Sequence, residues 1–213
     1  MKHEWKKNEK QFYMPKGKPE LVTIPTFSFF TIEGKGNPND AEFAKYIGVL
    51  YLLSYRVKMS PKKGLAPKEY FDYAVYPLEG VWDLTEEARK NHGGTFDKND
   101  LVFKLMMRQP GFVDHSFALQ ILELVKKSNP HELLVKVKFE EITEGQCIQM
   151  LHIGSYDSEP ASFRQMEEFA EHIKYQRSAK NHHEIYLSDA RKVDPDKLKT
   201  LLRFSVNKAS NQS

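Results

Sequence analysis

The sequence predicts an α+β fold: a duplicated β-α-β-β unit whose strands form an antiparallel sheet with the helices on one side. Two observations lead there. A strand–helix–strand–strand order of apolar patterns occupies residues 21–108 and recurs at 145–206, with one extra helix and strand inserted at 109–142. Val75-Tyr76-Pro77-Leu78 also echoes Ile185-Tyr186-Leu187-Ser188 in the second half, although four residues are few enough for chance to supply. The expected organisation is one domain over 21–213, preceded by a lead-in segment at 1–20.

The elements follow in order. Residues 1–20 are polar and lysine-rich, punctuated by Pro15, Gly17 and Pro19, with Trp5 or Phe12-Tyr13 as docking points. Leu21–Ile32 is β-rich, with Val22, Ile24, Phe30 and Ile32 on one parity and Phe27 and Phe29 on the other. Pro25 marks an edge position or a bulge. Asn39 or Asp40 can cap a helix over 41–58, whose stripe is Phe43, Tyr46, Ile47, Leu50, Leu53 and Val57; Pro61 and Gly64 end it. A strand around Tyr70–Leu78 leads into Gly80 and Trp82. Residues 83–99 read as a loop with one helical turn, and Leu101–Arg108 as a strand stopped by Pro110-Gly111. Asp114 caps a helix through Lys127 with Phe117, Ile121, Leu124 and Val125 on its apolar face. Leu133–Ile142 alternates apolar and charged residues as a half-exposed strand, and Gly145 starts another at Cys147–Ile153. Glu159-Pro160 opens a helix through about Tyr175, with Phe163, Met166, Phe169 and Ile173 on one face. His183–Leu187 and Lys199–Val206 are the last strands.

Composition narrows the function classes. The chain has 213 residues, 40% apolar and 29% charged, which is ordinary for a globular protein. No apolar run approaches the ~18 residues of a membrane helix, so no membrane partner is expected. The charged N-terminus lacks the apolar stretch of a secretory signal, and a single cysteine forms no internal disulfide; both suit a cytoplasmic protein. Net charge is only +3, with 32 cations nearly offset by 29 anions and no basic face or helix-turn-helix signature. Direct nucleic-acid binding is therefore not expected, and a homodimer is compatible with the pattern.

Glu184 is the principal candidate for chemistry. On a strand it shares a face with His182 and Tyr186, while His183 and Ile185 point the other way. A carboxylate among aromatic rings loses hydration, and its pKa rises unless it is paired. It could balance a cationic ligand or act as a general base on water. The competing reading is a surface glutamate on an exposed strand face. No metal or cofactor is expected. Adjacent histidines on a strand face opposite sides, and the helix-borne His-Glu-x-x-His arrangement is missing from the sequence. Gly34-Lys35-Gly36 is too short for a phosphate loop, Cys147 lies among apolar neighbours, and Ser155 is not in a nucleophile elbow.

Four stretches, taken together and in order, resemble the GyrI-like family, in particular its stand-alone small-molecule-binding branch. They are Glu33–Pro38 with Phe43 and Leu50-Tyr51; Tyr73–Trp82; Glu144–Gly154 with Tyr156, Glu159 and Pro160; and His182–Asp189. The resemblance spans about Pro19 to Asn207. Ser155 and Ala190 stand where the family usually has proline, and Asp83 where a second aromatic often follows Trp82. The last departure bears on the pocket rim and ligand identity.

The resemblance implies the duplicated, SHS2-type β-α-β-β fold that also serves as the effector-binding domain of AraC- and MerR-type regulators. It implies a hydrophobic or aromatic small-molecule partner held around a buried glutamate, where the two halves meet. Stand-alone relatives include proteins similar to hydrolases that open the cyclopropane ring of DNA-alkylating compounds, and others similar to gyrase-protective proteins. On that reading Glu184 and Tyr156 would be catalytic, with Tyr186 as a second hydrogen-bond donor. Trp82 would form a pocket wall, with Phe30, Tyr51, Tyr55, Phe103 and Phe112 as weaker lining candidates. Ordinary core packing competes for each aromatic. Three readings stay open: a hydrolase of cyclopropane-bearing genotoxins, a non-catalytic multidrug-binding protein, and a gyrase-interacting protein.

Overall fold

The computed structural model describes residues 2–90 and 97–209. Helices α1 (Trp5–Asn8) and α2 (Lys10–Tyr13) are followed by strand β1 (Glu20–Lys35), helix α3 (Ala41–Lys58), strand β2 (Leu78–Leu84) and helix α4 (Glu86–Lys90). Strand β3 (Leu101–Gln109), helix α5 (His115–Ser128), strand β4 (Lys138–Ile153) and helix α6 (Glu159–His172) come next. Strands β5 (Tyr175–Arg177), β6 (His182–Tyr186) and β7 (Lys199–Lys208) complete the described chain. Contacts group these into two units. The first comprises Phe27–Ile142 with the N-terminal residues up to Glu4; the second comprises Trp5–Thr26 and the chain from Thr143 onward.

In the first unit β3 lies between β1 and β2, antiparallel to both, with Ile32 and Gly80 flanking Leu105 and with Gly34 and Trp82 flanking Phe103. Helix α3 packs on β3 and α5. Its apolar side buries Val49, Leu50, Leu53 and Val57, and Gly64 at φ 69° ends the 3-10 turn that follows it. Asp40 precedes α3 in extended conformation without a side-chain capping bond. Asp114 does cap α5: its Oδ1 accepts the Phe117 N–H at 2.7 Å.

The second unit repeats this topology. β7 lies between β4 and β6, antiparallel to both, with β5 against its far end. Met150 and Glu184 flank Leu202, and His152 and Tyr186 flank Thr200. Helix α6 lays Met166 and Ala170 on Ile148, Met150, Leu202, Phe204 and Val206, with Phe163, Phe169 and Ile173 at the margin. In both units the first strand runs out into a left-handed glycine, Gly36 at φ 114° and Gly154 at φ 141°, just before its helix. Aligned on these rows, Glu184 stands where the first unit has Gly80, Tyr186 where it has Trp82, and Glu159 where it has Ala41. The α+β class and the duplicated β-α-β-β order are as the sequence predicts.

Four expectations are corrected. Tyr70–Leu78 is not a strand: Tyr73 makes one isolated bridge to His3, and the paired strand starts at Leu78, just after Pro77. The apolar character of that stretch serves an aromatic cluster instead, in which Phe112 lies 5.1–5.9 Å from Tyr70, Phe71 and Tyr73. The echo of Val75–Leu78 with Ile185–Ser188 is thus not the structural correspondence, which pairs Gly80 with Glu184.

The two strands expected at 133–142 and 147–153 are one strand, β4. Residues 132–136 form a 3-10 turn because His131 Nδ1 accepts the Leu133 N–H at 3.1 Å, and Gly145 at φ 68° carries the strand through where other residues would be strained. Helix α6 ends at His172 rather than Tyr175. Lys174 turns left-handed at φ 60°, and Tyr175 pairs with Lys208.

The expected helical turn in 83–99 is α4; residues 91–96 of that loop lie outside the described residues. The lead-in folds as α1 and α2, with Trp5 and Tyr13 buried against each other at 5.3 Å. Among the described residues, no helix is long and apolar enough to cross a membrane.

Candidate functional site

Strand alternation builds the site in the second unit. His182, Glu184 and Tyr186 fall on one side of β6, and His183 and Ile185 on the other. Glu184 is only 8% exposed. Its Oε1 lies 2.8 Å from His182 Nε2, and its Oε2 accepts the Tyr186 hydroxyl at 2.9 Å. Both neighbours are two residues away along the strand, so the pleat itself places a hydrogen-bond partner on each carboxylate oxygen.

A second carboxyl meets it. Glu159, the first residue of α6, is 5% exposed and brings a carboxylate oxygen within 4.8 Å of one of Glu184. Its Oε1 is buried and receives no hydrogen bond. Burial pushes this carboxyl far above the usual range, and the Glu184 and Asp157 charges push the same way. The helix N-terminus favours the charged form by a fraction of what burial costs it.

Aromatic rings surround the pair. Tyr156 stands edge-on to Tyr186 at 6.1 Å, and Phe163 of α6 packs on His182 at 4.8 Å. Burial first, and then Glu184, Glu159 and Asp189, raise the Tyr156 phenol to about 12, although 41% of the residue remains exposed. Beside it the His152 ring is pinned: Nδ1 lies 2.8 Å from Ser162 Oγ, and Nε2 faces the Ser155 carbonyl at 3.1 Å. A Cβ at Gly154 would come 2.8 Å from Ser158 Oγ, so this turn requires glycine for space as well as for its dihedral.

The opposite face holds a buried ionic row, Gln149–Arg203–His183, one residue from each of β4, β7 and β6. Arg203 donates to Glu144 Oε2 at 2.9 Å, to Gln149 Oε1 at 3.0 Å and to the Phe12 carbonyl at 2.7 Å. His183 Nδ1 lies 2.9 Å from Glu144 Oε1. Burial raises the Glu144 carboxyl, but His183 and Arg203 outweigh it and hold it at about 2. This row fixes β6 and ties α2 to the sheet, so the register that presents Glu184 is anchored from behind.

The other candidate residues belong to the first unit. Trp82 is buried against Phe43 and Phe103 at 5.7 and 5.5 Å. Phe30 is buried edge-on to Phe139 at 5.4 Å, and Phe112 sits in the Tyr70–Phe71–Tyr73 cluster. Tyr51 and Tyr55 stack on each other at the exposed side of α3. A cavity of about 760 Å³ in this unit is lined by Phe43, Tyr46 and Phe103 together with Glu42, Glu132 and Lys136.

One group among the described residues brings potential cation-binding atoms within 4.8 Å of one another: Glu159, His182 and Glu184. His182 and Tyr186 already engage both Glu184 oxygens, while Glu159 Oε1 has no hydrogen-bond partner.

The family model of the GyrI-like small-molecule-binding domain matches residues 17–206. The chain belongs to the GyrI-like family. Solved structures are similar over nearly the whole chain. A hydrolase from Listeria innocua is 34% identical, with a TM-score of 0.86 over 97% of this chain and 100% of that one. An uncharacterised conserved protein from Listeria innocua is 36% identical, with a TM-score of 0.84 over the same shares. No curated protein matches the chain.

Within this GyrI-like domain, sequence reasoning named Glu184, Tyr186 and Tyr156, and missed Glu159 as the partner of Glu184. Glu159 reads as an ordinary acid at a helix start before Pro160; only the β4–β7–β6 order beneath α6 brings it to β6. The glycine turn at Gly154 and the Glu-Pro pair were the available signals.

Proposed function

We propose that this GyrI-like domain binds bulky aromatic small molecules and hydrolyses cyclopropane-bearing genotoxic compounds by water addition assisted by Glu184. The observation that supports this most is the state of Glu184: 8% exposed, held by the Tyr186 hydroxyl and by His182, with Tyr156 packed on Tyr186 and Phe163 on His182. A carboxylate held in one orientation is positioned to take a proton from an attacking water. The hydrolase from Listeria innocua is consistent with such chemistry on this fold.

In the proposed reaction, water oxygen bonds to the cyclopropane methylene. The ring C–C bond breaks, and its electron pair moves into the conjugated dienone to leave a phenolate. Glu184 takes the proton released by water. Tyr186 already donates to Glu184, so Tyr156 is the phenol left to stabilise the developing oxyanion. Relief of ring strain and aromatisation drive the step, and the proton on Glu184 returns to the phenolate through solvent.

Incubation with a cyclopropanoid alkylator in ¹⁸O-labelled water tests the reading. The expected product is a ring-opened alcohol carrying one labelled oxygen. Compound that is bound but recovered unchanged at saturating protein would refute turnover and leave a multidrug-binding protein.

A further inference from the structure

The proposed chemistry uses one carboxyl, yet the site contains two. Glu159 is buried, its Oε1 receives no donor, and its neighbour Glu184 already accepts from Tyr186 and lies 2.8 Å from His182 Nε2. A carboxylate in that position would be unsolvated and in contact with a like charge; a carboxylic acid would be a donor facing an acceptor. We propose that Glu159 is the proton-bearing partner of Glu184, a positioning acid that donates to it and holds the site at a single negative charge. The inference rests on the reading of Glu184 as the working carboxylate.

The groups facing Glu159 are mostly acids and phenols. Glu184 and His182 face it from β6, and Tyr156 and Asp157 from the turn before α6. His152 of β4 is engaged with Ser155, Ser158 and Ser162. No lysine or arginine stands among these neighbours to neutralise a second charge, and burial and Glu184 both favour the acid. A site with one negative charge and one internal proton suits a neutral polarised ring or a monocation. Only when the pair loses its proton would it attract cations more strongly.

Two measurements on the full chain test this. Infrared difference spectroscopy is independent of any ligand: a protonated-carboxyl stretch at neutral pH, lost in Glu159→Gln, is expected. No such band in the wild type, or the same band in Glu159→Gln, overturns the proposal. The second measurement is tetraphenylphosphonium affinity against pH. Glu159→Gln, which keeps a donor, should stay within about twofold of wild type at neutral pH, while Glu159→Ala should lose about tenfold or more. Wild-type affinity should rise at alkaline pH and that of Glu159→Gln should not. Equal losses in the two variants, or equal pH profiles, refute the positioning role. If the wild type binds no such probe, the infrared band alone decides the shared proton, and the function proposed for Glu184 stands or falls on turnover of the cyclopropanoid alkylator.

Discussion

Glu159→Gln is expected to stabilise the protein, and to do so more strongly as the pH rises. In the unfolded chain this carboxyl ionises near 4.5; in the folded protein burial and then Glu184 keep it protonated to a much higher pH. The folded state therefore binds more protons than the unfolded one across that window. Its contribution to stability is complete below the unfolded value and is lost as pH rises toward the folded value. A single group in this position changes stability by about 1.4 kcal/mol per pH unit, or about 2.7 kcal/mol between roughly pH 5 and pH 7. Glutamine has nearly the same volume, retains a donor toward Glu184 and does not titrate. Urea unfolding of both proteins at about pH 5, 6 and 7 gives the difference directly, and other titrating groups cancel in it. The advantage of the variant should grow by about 2–3 kcal/mol over that range, or roughly 5–10 °C in Tm for a chain of this size. A difference that does not change with pH would refute the shared-proton reasoning, because an ionised Glu159 in the folded protein gives no such slope.

Three further perturbations follow from the same geometry. Arg203→Met leaves Glu144 buried beside His183 alone and should cost about 3–5 kcal/mol at neutral pH by chemical denaturation. The wild-type contribution of Glu144 is present above its unfolded value of 4.5 and fades as pH falls toward about 2, so the two proteins should converge in acid. Gly154→Ala places a Cβ 2.8 Å from Ser158 Oγ at a φ of 141°, and should cost about 1–3 kcal/mol while loosening the His152 contacts; thermal denaturation and the His152 ring resonances by NMR report these. Asp114→Ala removes the cap of α5 and should cost about 1 kcal/mol without altering ligand binding, measured by urea unfolding and fluorescence titration.

What the sequence showed and what it hid have physical reasons. Helices α3 and α5 were legible because their apolar spacing, the breaker after α3 and the acid before α5 are all local signals. The pairing of His182, Glu184 and Tyr186 on one face was legible because strand parity fixes it. The stretch before Leu78 misled because large aromatics raise β-propensity wherever they stand, including in a loop that packs its rings into a cluster. β4 was split in two because glycine is a breaker on average, while at Gly145 it is the residue that lets a strand continue through a left-handed dihedral. Glu159 escaped because its chemistry comes from a neighbour contributed by another element, and no local pattern encodes that approach. The four-residue echo failed for a related reason: the correspondence between the halves lies in cross-strand rows, where Gly80 and Glu184 match in position and not in residue type.

The most direct test of the account compares wild type and Glu184→Gln on one cyclopropane-bearing aromatic compound, with binding and ring-opened product measured in the same samples. Removing a general base should lower the rate of product formation by about 10²–10⁴-fold while the compound still binds. Product formed at the wild-type rate by Glu184→Gln would contradict the role assigned to this carboxylate.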